Sequence, residues 1–284
     1  MVSSAKFDLI IMLVVYKKRL KDIPSLDFIE RIKLKTNLKL HTIIYDNSPE
    51  TVNLPDDIPN YVSYIHNKNN PGLATAYNYG VEVSISHNCH WMLLLDHDTE
   101  MTTDYFTRVF ELFEKEMLTP DIVAVMPIVR ANGVTIAPVK TDFQDHHQPL
   151  NKTGKLRGNI TGINSGTIVR VSFLKQLGGF NLSFPLDYLD HWFFNEVNKA
   201  SRFIYVVDTV IQQDLSILNF ALNINPVRYK SILRARVLFY KDKSICFSMR
   251  LKMSLFKKFI KHLILTKDKQ YAFITLKYLI ESFK

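Results

Sequence analysis

WMLLLDHDTEM, residues 91–101, runs five apolar residues into two aspartates one residue apart and then into threonine and glutamate. The apolar run reads as a buried strand. In a strand alternate side chains share a face, so Asp96 and Asp98 would point the same way, with His97 opposed. Two like charges that close repel. Such a pair is usually tolerated because a cation or a set of donors sits between the carboxylates, which makes it a candidate metal or sugar-nucleotide site. The plainer alternative is a solvated junction between strand and loop.

Upstream, strand-like and helix-like stretches alternate, the signature of an α/β sheet with parallel pairing. FDLIIMLVVY (7–16) reads as a first buried strand. It is too short, and too closely followed by Lys17, Lys18 and Arg19, for a signal peptide. IPSLDFIERIKLK (23–35) reads as a helix with Ile23, Leu26, Ile29 and Ile32 apolar, and LKLHTIIYDNS (38–48) as a second strand ending in Asp46 and Asn47. VSYIHNKNNPGLATAYNYGVEVSIS (62–86) gives a short strand, a turn at Asn70, Pro71 and Gly72, and a helix. Three strand ends therefore carry polar residues: Tyr16, then Asp46 with Asn47, then Asp96 with Asp98. In open α/β sheets ligands bind at the carboxyl ends of strands. Downstream, DIVAVMPIV (121–129) reads as a strand, NGVTI (132–136) as a turn into another, and residues 141–159 as a polar loop. GINSGTIVRVSFLKQLGGF (162–180) offers a Gly-rich strand, a helix and a tight turn at Gly178 and Gly179; Asp187 and Asp190 then lie against aromatics in FPLDYLDHWFF (184–194).

The chain of 284 residues carries a formal charge of +9, unevenly placed. From Lys230 to Lys284 there are 14 Lys and Arg against 3 Asp and Glu, leaving 22 against 24 for residues 1–229. A main domain so nearly neutral argues against nucleic-acid binding, and the basic tail points to a separate surface role. Cys89 and Cys246 give neither a disulfide framework nor a metal spacing, as expected in a reducing compartment, and neither reads as a nucleophile. No charge-free apolar run approaches the roughly 18 residues that read as a membrane span. His146 and His147 read as part of a solvated loop, and Ser165 has no nucleophile elbow around it.

NNPGLATAYNYG, LLLDHDTEM, GINSGTIVRVSFLKQLGGF and FPLDYLDHWFF, in that order, resemble the landmarks of inverting family 2 glycosyltransferases, particularly a rhamnosyltransferase-like bacterial branch. The resemblance covers roughly residues 6–240. It implies a GT-A fold, a Rossmann-like mixed α/β sheet flanked by helices, over residues 1–229, with residues 230–284 as a basic amphipathic helical extension. It further implies transfer of a sugar from a UDP- or dTDP-sugar to a hydroxyl of a glycan or lipid-linked acceptor, in bacterial surface polysaccharide synthesis. By that resemblance Tyr16, Asp46, Asn70, Gly72, Asn78, Asp96, Asn164 and Ser165 bind the donor. Asp98 holds Mg²⁺ or Mn²⁺. Asp190 is the catalytic base, with Asp187 as a helix cap, an acceptor-binding group or the alternative base. The sequence departs from the family pattern at Gln213, where a metal-ligating His would stand, leaving Gln213 or Asp214 to complete the site. It departs again after Asp190, where His191, Trp192 and Asn195 replace the usual acid and Arg.

Two rival readings stand beside this one. A haloacid dehalogenase-like phosphatase also has a strand-end DxD, but here Glu100 occupies the place its Thr or Val would take. A protein that binds nucleotide sugars without turnover would keep the fold and tolerate Gln213. In the tail, Leu251, Leu255, Phe259 and Leu263 recur every four residues among Lys252, Lys257, Lys258, Lys261 and His262, which reads as a basic amphipathic helix. Such a helix lies on an anionic membrane surface, giving a cytoplasmic protein peripheral on the inner membrane face, or else packs on the main domain or on a second copy of the chain.

Overall fold

The computed structural model describes residues 8–35, 38–51, 59–141, 147–212, 225–241 and 243–283. Gln213, Asp214 and His146, and the side chain of His147, lie outside the described residues. The chain divides into two compact units, one of Met1–Lys140 with Pro149–Asp214 and one of Thr141–Gln148 with Leu215–Lys284.

The first unit is built on a mixed sheet. β1 (Leu9–Val15), β2 (Leu40–Asp46), β3 (Val62–His66) and β4 (Trp91–Asp96) are parallel in the order β3-β2-β1-β4. Every residue of β1 is buried, as are the first five of β4. Continuous apolar runs of this kind belong to strands covered on both faces. Helix α1 (Pro24–Lys35) follows β1, α2 (Leu73–Ser86) follows β3, and α3 (Thr103–Glu114) follows β4. Helix α2 packs on β1 and β4 at Gly80, where an added Cβ would sit 2.7 Å from Met92 Sδ and 2.9 Å from Met12 Sδ. Glycine there sets how closely the helix approaches the sheet.

β5 (Ile122–Ala131) turns through Asn132 and Gly133, both at positive φ, into β6 (Val134–Ala137), as the Asn-Gly pair predicts. β7 (Val139–Thr141) and β8 (His147–Pro149) follow. The polar stretch after Thr141 is not wholly a loop: β9 (Gly154–Leu156) joins the sheet edge antiparallel to β12 (Phe203–Gln212), a strand the sequence reading passes over. At this edge Lys155 Nζ lies 2.8 Å from Asp121 Oδ2 and over the Phe203 ring. β10 (Ile160–Thr161) pairs with β7. β11 (Ile168–Arg170) runs antiparallel between β4 and β5, and leads into α4 (Val171–Leu177) and α5 (Leu189–Lys199). Because β12 is parallel to β5, the carboxyl ends of β1, β2, β4, β5 and β12 share one edge.

Among the described residues the second unit contains three helices, α6 (Pro226–Lys241), α7 (Ile245–Leu265) and α8 (Gln270–Glu281). They meet at Tyr229 of α6, whose hydroxyl lies 2.8 Å from Thr275 Oγ1 of α8 and 3.1 Å from His262 Nε2 of α7. No helix among the described residues is long and apolar enough to cross a membrane.

Candidate active site

Strand register fixes where the polar strand ends meet. Val15 pairs with Asp46 and Val14 with Asp96, so Tyr16, Asp46 and Asp96 stand at neighbouring points on the carboxyl edge of three adjacent strands. Asp46 is fully buried and both its oxygens are engaged: Tyr64 donates to Oδ2 at 2.6 Å and the Ser48 N–H to Oδ1 at 2.8 Å. Ser48 Oγ in turn accepts the Lys17 N–H at 2.7 Å, joining the ends of β1 and β2. Asn47 donates to the Gly72 carbonyl at 3.3 Å, while its Oδ1 is buried without a partner.

The strand β4 ends at Asp96, and His97 and Asp98 belong to a turn closed by the Thr99 N–H on the Asp96 carbonyl. Strand alternation therefore stops one residue short of Asp98, and the two aspartates differ: Asp96 is half-buried, Asp98 exposed. The turn is braced from two sides. Ser165 Oγ accepts the Asp96 N–H at 2.9 Å and bonds the Thr99 hydroxyl at 2.6 Å, and Ser25 donates to the Thr99 carbonyl at 2.9 Å. Ser165 thus acts on the site by holding the Asp96 backbone. Beside it Asn164 is buried with its Oδ1 unmet. The buried Tyr77 donates its hydroxyl to Asp96 Oδ1 at 3.2 Å.

The turn before α2 is tied to the loop that carries Asp187 and Asp190. Asn70 adopts positive φ, as does Gly72, where an added Cβ would fall 2.3 Å from the Pro185 carbonyl oxygen. That carbonyl accepts the Leu73 and Ala74 N–H groups at the start of α2. Asn78 spends both ends of its amide on Phe180, donating to its carbonyl at 2.9 Å and accepting its N–H at 2.6 Å. Neither Asp187 nor Asp190 is the residue preceding α5; that position is Tyr188, at φ 64°, without a side-chain cap. Asp190 is half-buried in the first turn and accepts the His191 N–H at 2.7 Å.

These carboxylates share one electrostatic environment. Burial pushes the Asp96 carboxyl up to about 7, the Asp98 charge adds to this, the Tyr77 hydrogen bond opposes it and the Asp190 charge raises it further. The Tyr77 phenol is driven well up, first by burial, then by Asp96, with Asp190 and Asp98 contributing. Burial holds His97 below the usual range against the pull of Asp98, with Lys18 also lowering it. Cys89, by contrast, is buried and its thiol pushed up to about 11, in keeping with an inert side chain.

Residues 23–178, more than half of the chain, match the sequence pattern of Glycosyl transferase family 2. The chain belongs to glycosyl transferase family 2. The phosphatase reading falls with that match. The family 2 domain has the GT-A fold, and solved structures resemble it at the level of fold. S. aureus TarS residues 1–349, in complex with UDP-GlcNAc, aligns at a TM-score of 0.56 and 11% identity, covering 97% of this chain and 81% of that one. GalNAc-T7 with UDP, GalNAc and Mn²⁺ aligns at 0.55 and 12% identity, covering 98% of this chain and 57% of that one. No curated protein sequence matches.

Several residues that shape these strand ends go unnoticed in sequence. Tyr77 stands next to Asn78 inside a quoted landmark, yet only the sheet shows which of the two faces Asp96. Ser25, Ser48 and Thr99 act through backbone groups, for which sequence carries no signal. Among the described residues no group of three or more His, Cys, Asp or Glu side chains forms a metal cage. A Mg²⁺ held by one or two carboxylates and completed by phosphate oxygens and water requires none. Exposed Asp98 beside half-buried Asp96 fits that set of hard oxygen donors.

Proposed function

We propose that the protein is an inverting glycosyltransferase of the rhamnosyltransferase-like branch. It moves a hexosyl or rhamnosyl unit from a UDP- or dTDP-sugar to a hydroxyl of a glycan or lipid-linked acceptor. Bacterial surface polysaccharide synthesis, at the cytoplasmic face of the membrane, belongs to the same proposal. The observation that carries it is the placement of Asp96, held by the buried Tyr77 hydroxyl, and of exposed Asp98 in the turn just after it, at the carboxyl end of β4, with the Asp190 charge adding to theirs. UDP-GlcNAc in the TarS structure, and UDP with Mn²⁺ in that of GalNAc-T7, support the donor class and the cation.

On this reading Tyr16, Asp46, Asn70, Gly72 and Asn78 form the nucleotide side of the cleft, with Asn164 and Ser165 behind Asp96. Asp46, Asn78 and Ser165 act by shaping the wall, since their hydrogen-bonding groups are engaged within the protein. Asp98, with Gln213 as second ligand, would hold Mg²⁺ or Mn²⁺, which supplies positive charge against the departing diphosphate. Asp190 takes the proton of the acceptor hydroxyl as that oxygen bonds to the anomeric carbon. The bond from anomeric carbon to phosphate oxygen breaks, its electron pair leaving with the nucleoside diphosphate. Asp187, three residues earlier, orients the acceptor.

Release of UDP and dTDP from a panel of donors, with and without Mn²⁺, Mg²⁺ and EDTA, tests the reading. Asp190→Asn should lower turnover by roughly 10² to 10⁴ while donor affinity and melting temperature hold, because a general base acts in the transition state. Normal turnover in that variant, with Asp187→Asn folded but inactive, would move the base to Asp187. Donor binding without either transfer or slow hydrolysis would favour a nucleotide-sugar-binding protein.

A further inference from the structure

Helix α7 is apolar on two faces, and the structure separates them. Leu251 and Leu255, from the stripe read in sequence, are buried. A second stripe faces outward and takes in Leu263, which the sequence reading places with Leu251 and Leu255: Ile245, Met249, Met253, Phe256, Ile260 and Leu263 are between 36% and 80% exposed. Their steps of four, four, three, four and three residues follow the helical repeat, so they form one line along about 30 Å of helix. Exposed apolar surface on this scale marks an interaction site.

Charge decides the partner. Helices α6 and α7 contain ten Lys and Arg and no Asp or Glu. On the helical repeat Arg250, Lys257 and Lys261 border one side of the exposed stripe and Lys252 the other. Lys252 lies 4.4 Å over the ring of Phe283, itself exposed. Behind the first border lies a set of cations short of partners. Arg236 of α6 donates through Nη2 to Ser254 Oγ at 3.2 Å, but its Nε is buried without an acceptor. Lys258 is half-buried nearby, and burial, then Arg236 and Lys261, hold its ammonium down to about 8. Among the described residues no acidic side chain pairs with Arg236, Lys258 or Lys261. A second copy of the chain laid on the stripe would bring the same cations together. A surface offering acyl chains between anionic phosphates satisfies both features at once.

We propose that α7 lies in the plane of an anionic lipid bilayer, its outward stripe inserted at the headgroup boundary and its lysines among the phosphates. This deepens the placement proposed with the transferase reading, but it is measured without it: vesicle binding is read with no donor present, and donor hydrolysis with no vesicle.

The full chain is sedimented with phosphatidylcholine vesicles with and without phosphatidylglycerol. It should bind the anionic vesicles, and more weakly as salt is raised. Met253→Glu with Phe256→Glu should weaken binding about tenfold or more by opposing both insertion and charge. Lys257→Gln with Lys261→Gln should weaken binding to anionic vesicles severalfold, with circular dichroism and donor hydrolysis unchanged in both variants. Failure of the parent protein to sediment, or equal sedimentation of the Met253→Glu, Phe256→Glu variant, overturns the proposal. So does a dimer that this variant dissociates in the absence of vesicle binding, which assigns the stripe to a second copy.

Discussion

Ser165 shows how one buried hydroxyl serves a site it does not line. Its Oγ accepts the Asp96 N–H and bonds Thr99, so a side chain 69 residues from Asp96 holds the turn on which Asp98 stands. Ser165→Ala would leave a buried N–H and a buried hydroxyl each short of a partner, at about 1–3 kcal/mol of stability. The expected outcome is a lower melting temperature together with weaker donor binding by calorimetry. Ser165→Thr, which keeps the hydroxyl, should recover part of both. A nucleophilic role for Ser165 would instead abolish turnover in the alanine variant with stability intact. Asp96 and Asp98 were legible in the sequence because two charges ending an apolar run need an explanation. Ser165 was legible only as a member of a landmark, because its work is done on backbone atoms that strand pairing brings near.

At the scale of elements, the turn before α2 is where helix, sheet edge and the Asp190 loop are joined. Gly72 has φ 93° and leaves no room for a Cβ against the Pro185 carbonyl. Gly72→Ala combines positive-φ strain with a steric clash, and should lower stability by about 1–3 kcal/mol or more, read as a fall in denaturation midpoint. Unchanged stability would mean that the loop at Pro185 withdraws freely. The parallel strands, α1 and α2 could be read from sequence because continuous apolar runs and helical spacing are strong local signals. β9 could not, since it is three residues long and pairs with β12 about 50 residues away in sequence. The outward face of α7 was hidden for a different reason. A helix apolar on two sides gives no sign of which side the protein will cover, and Leu251 and Leu255 proved to be the covered ones.

For the whole molecule, the two units answer to different chemistry. The helical unit carries a cation that folding disfavours: burial, then the charges of Arg236 of α6 and Lys261 of α7, hold the Lys258 ammonium down to about 8, against 10.5 for an ordinary lysine. Between those values the unfolded chain binds more protons, so stability rises as pH increases through that window and is lowest below it. Lys258→Met should raise the melting temperature at neutral pH and flatten that rise, seen in thermal denaturation followed across pH. A parent protein whose stability falls over the same range would contradict the burial of Lys258. In the other unit, the segment shared with the family ends at residue 178, whereas Phe180, Pro185 and Asp190 follow it. Asn78 grips Phe180 across 102 residues of chain, and Gly72 meets Pro185 across a similar span. These are contacts of high sequence separation, and loop closure of that length is slow to form. During synthesis the sheet edge at β1, β2 and β4 is complete before the acidic loop has left the ribosome. The turn that holds Gly72 and Asn78 therefore meets its partners only once residues 180–185 have been made, and a chain cut after residue 178 would lack both of them, together with β12, the partner of β5.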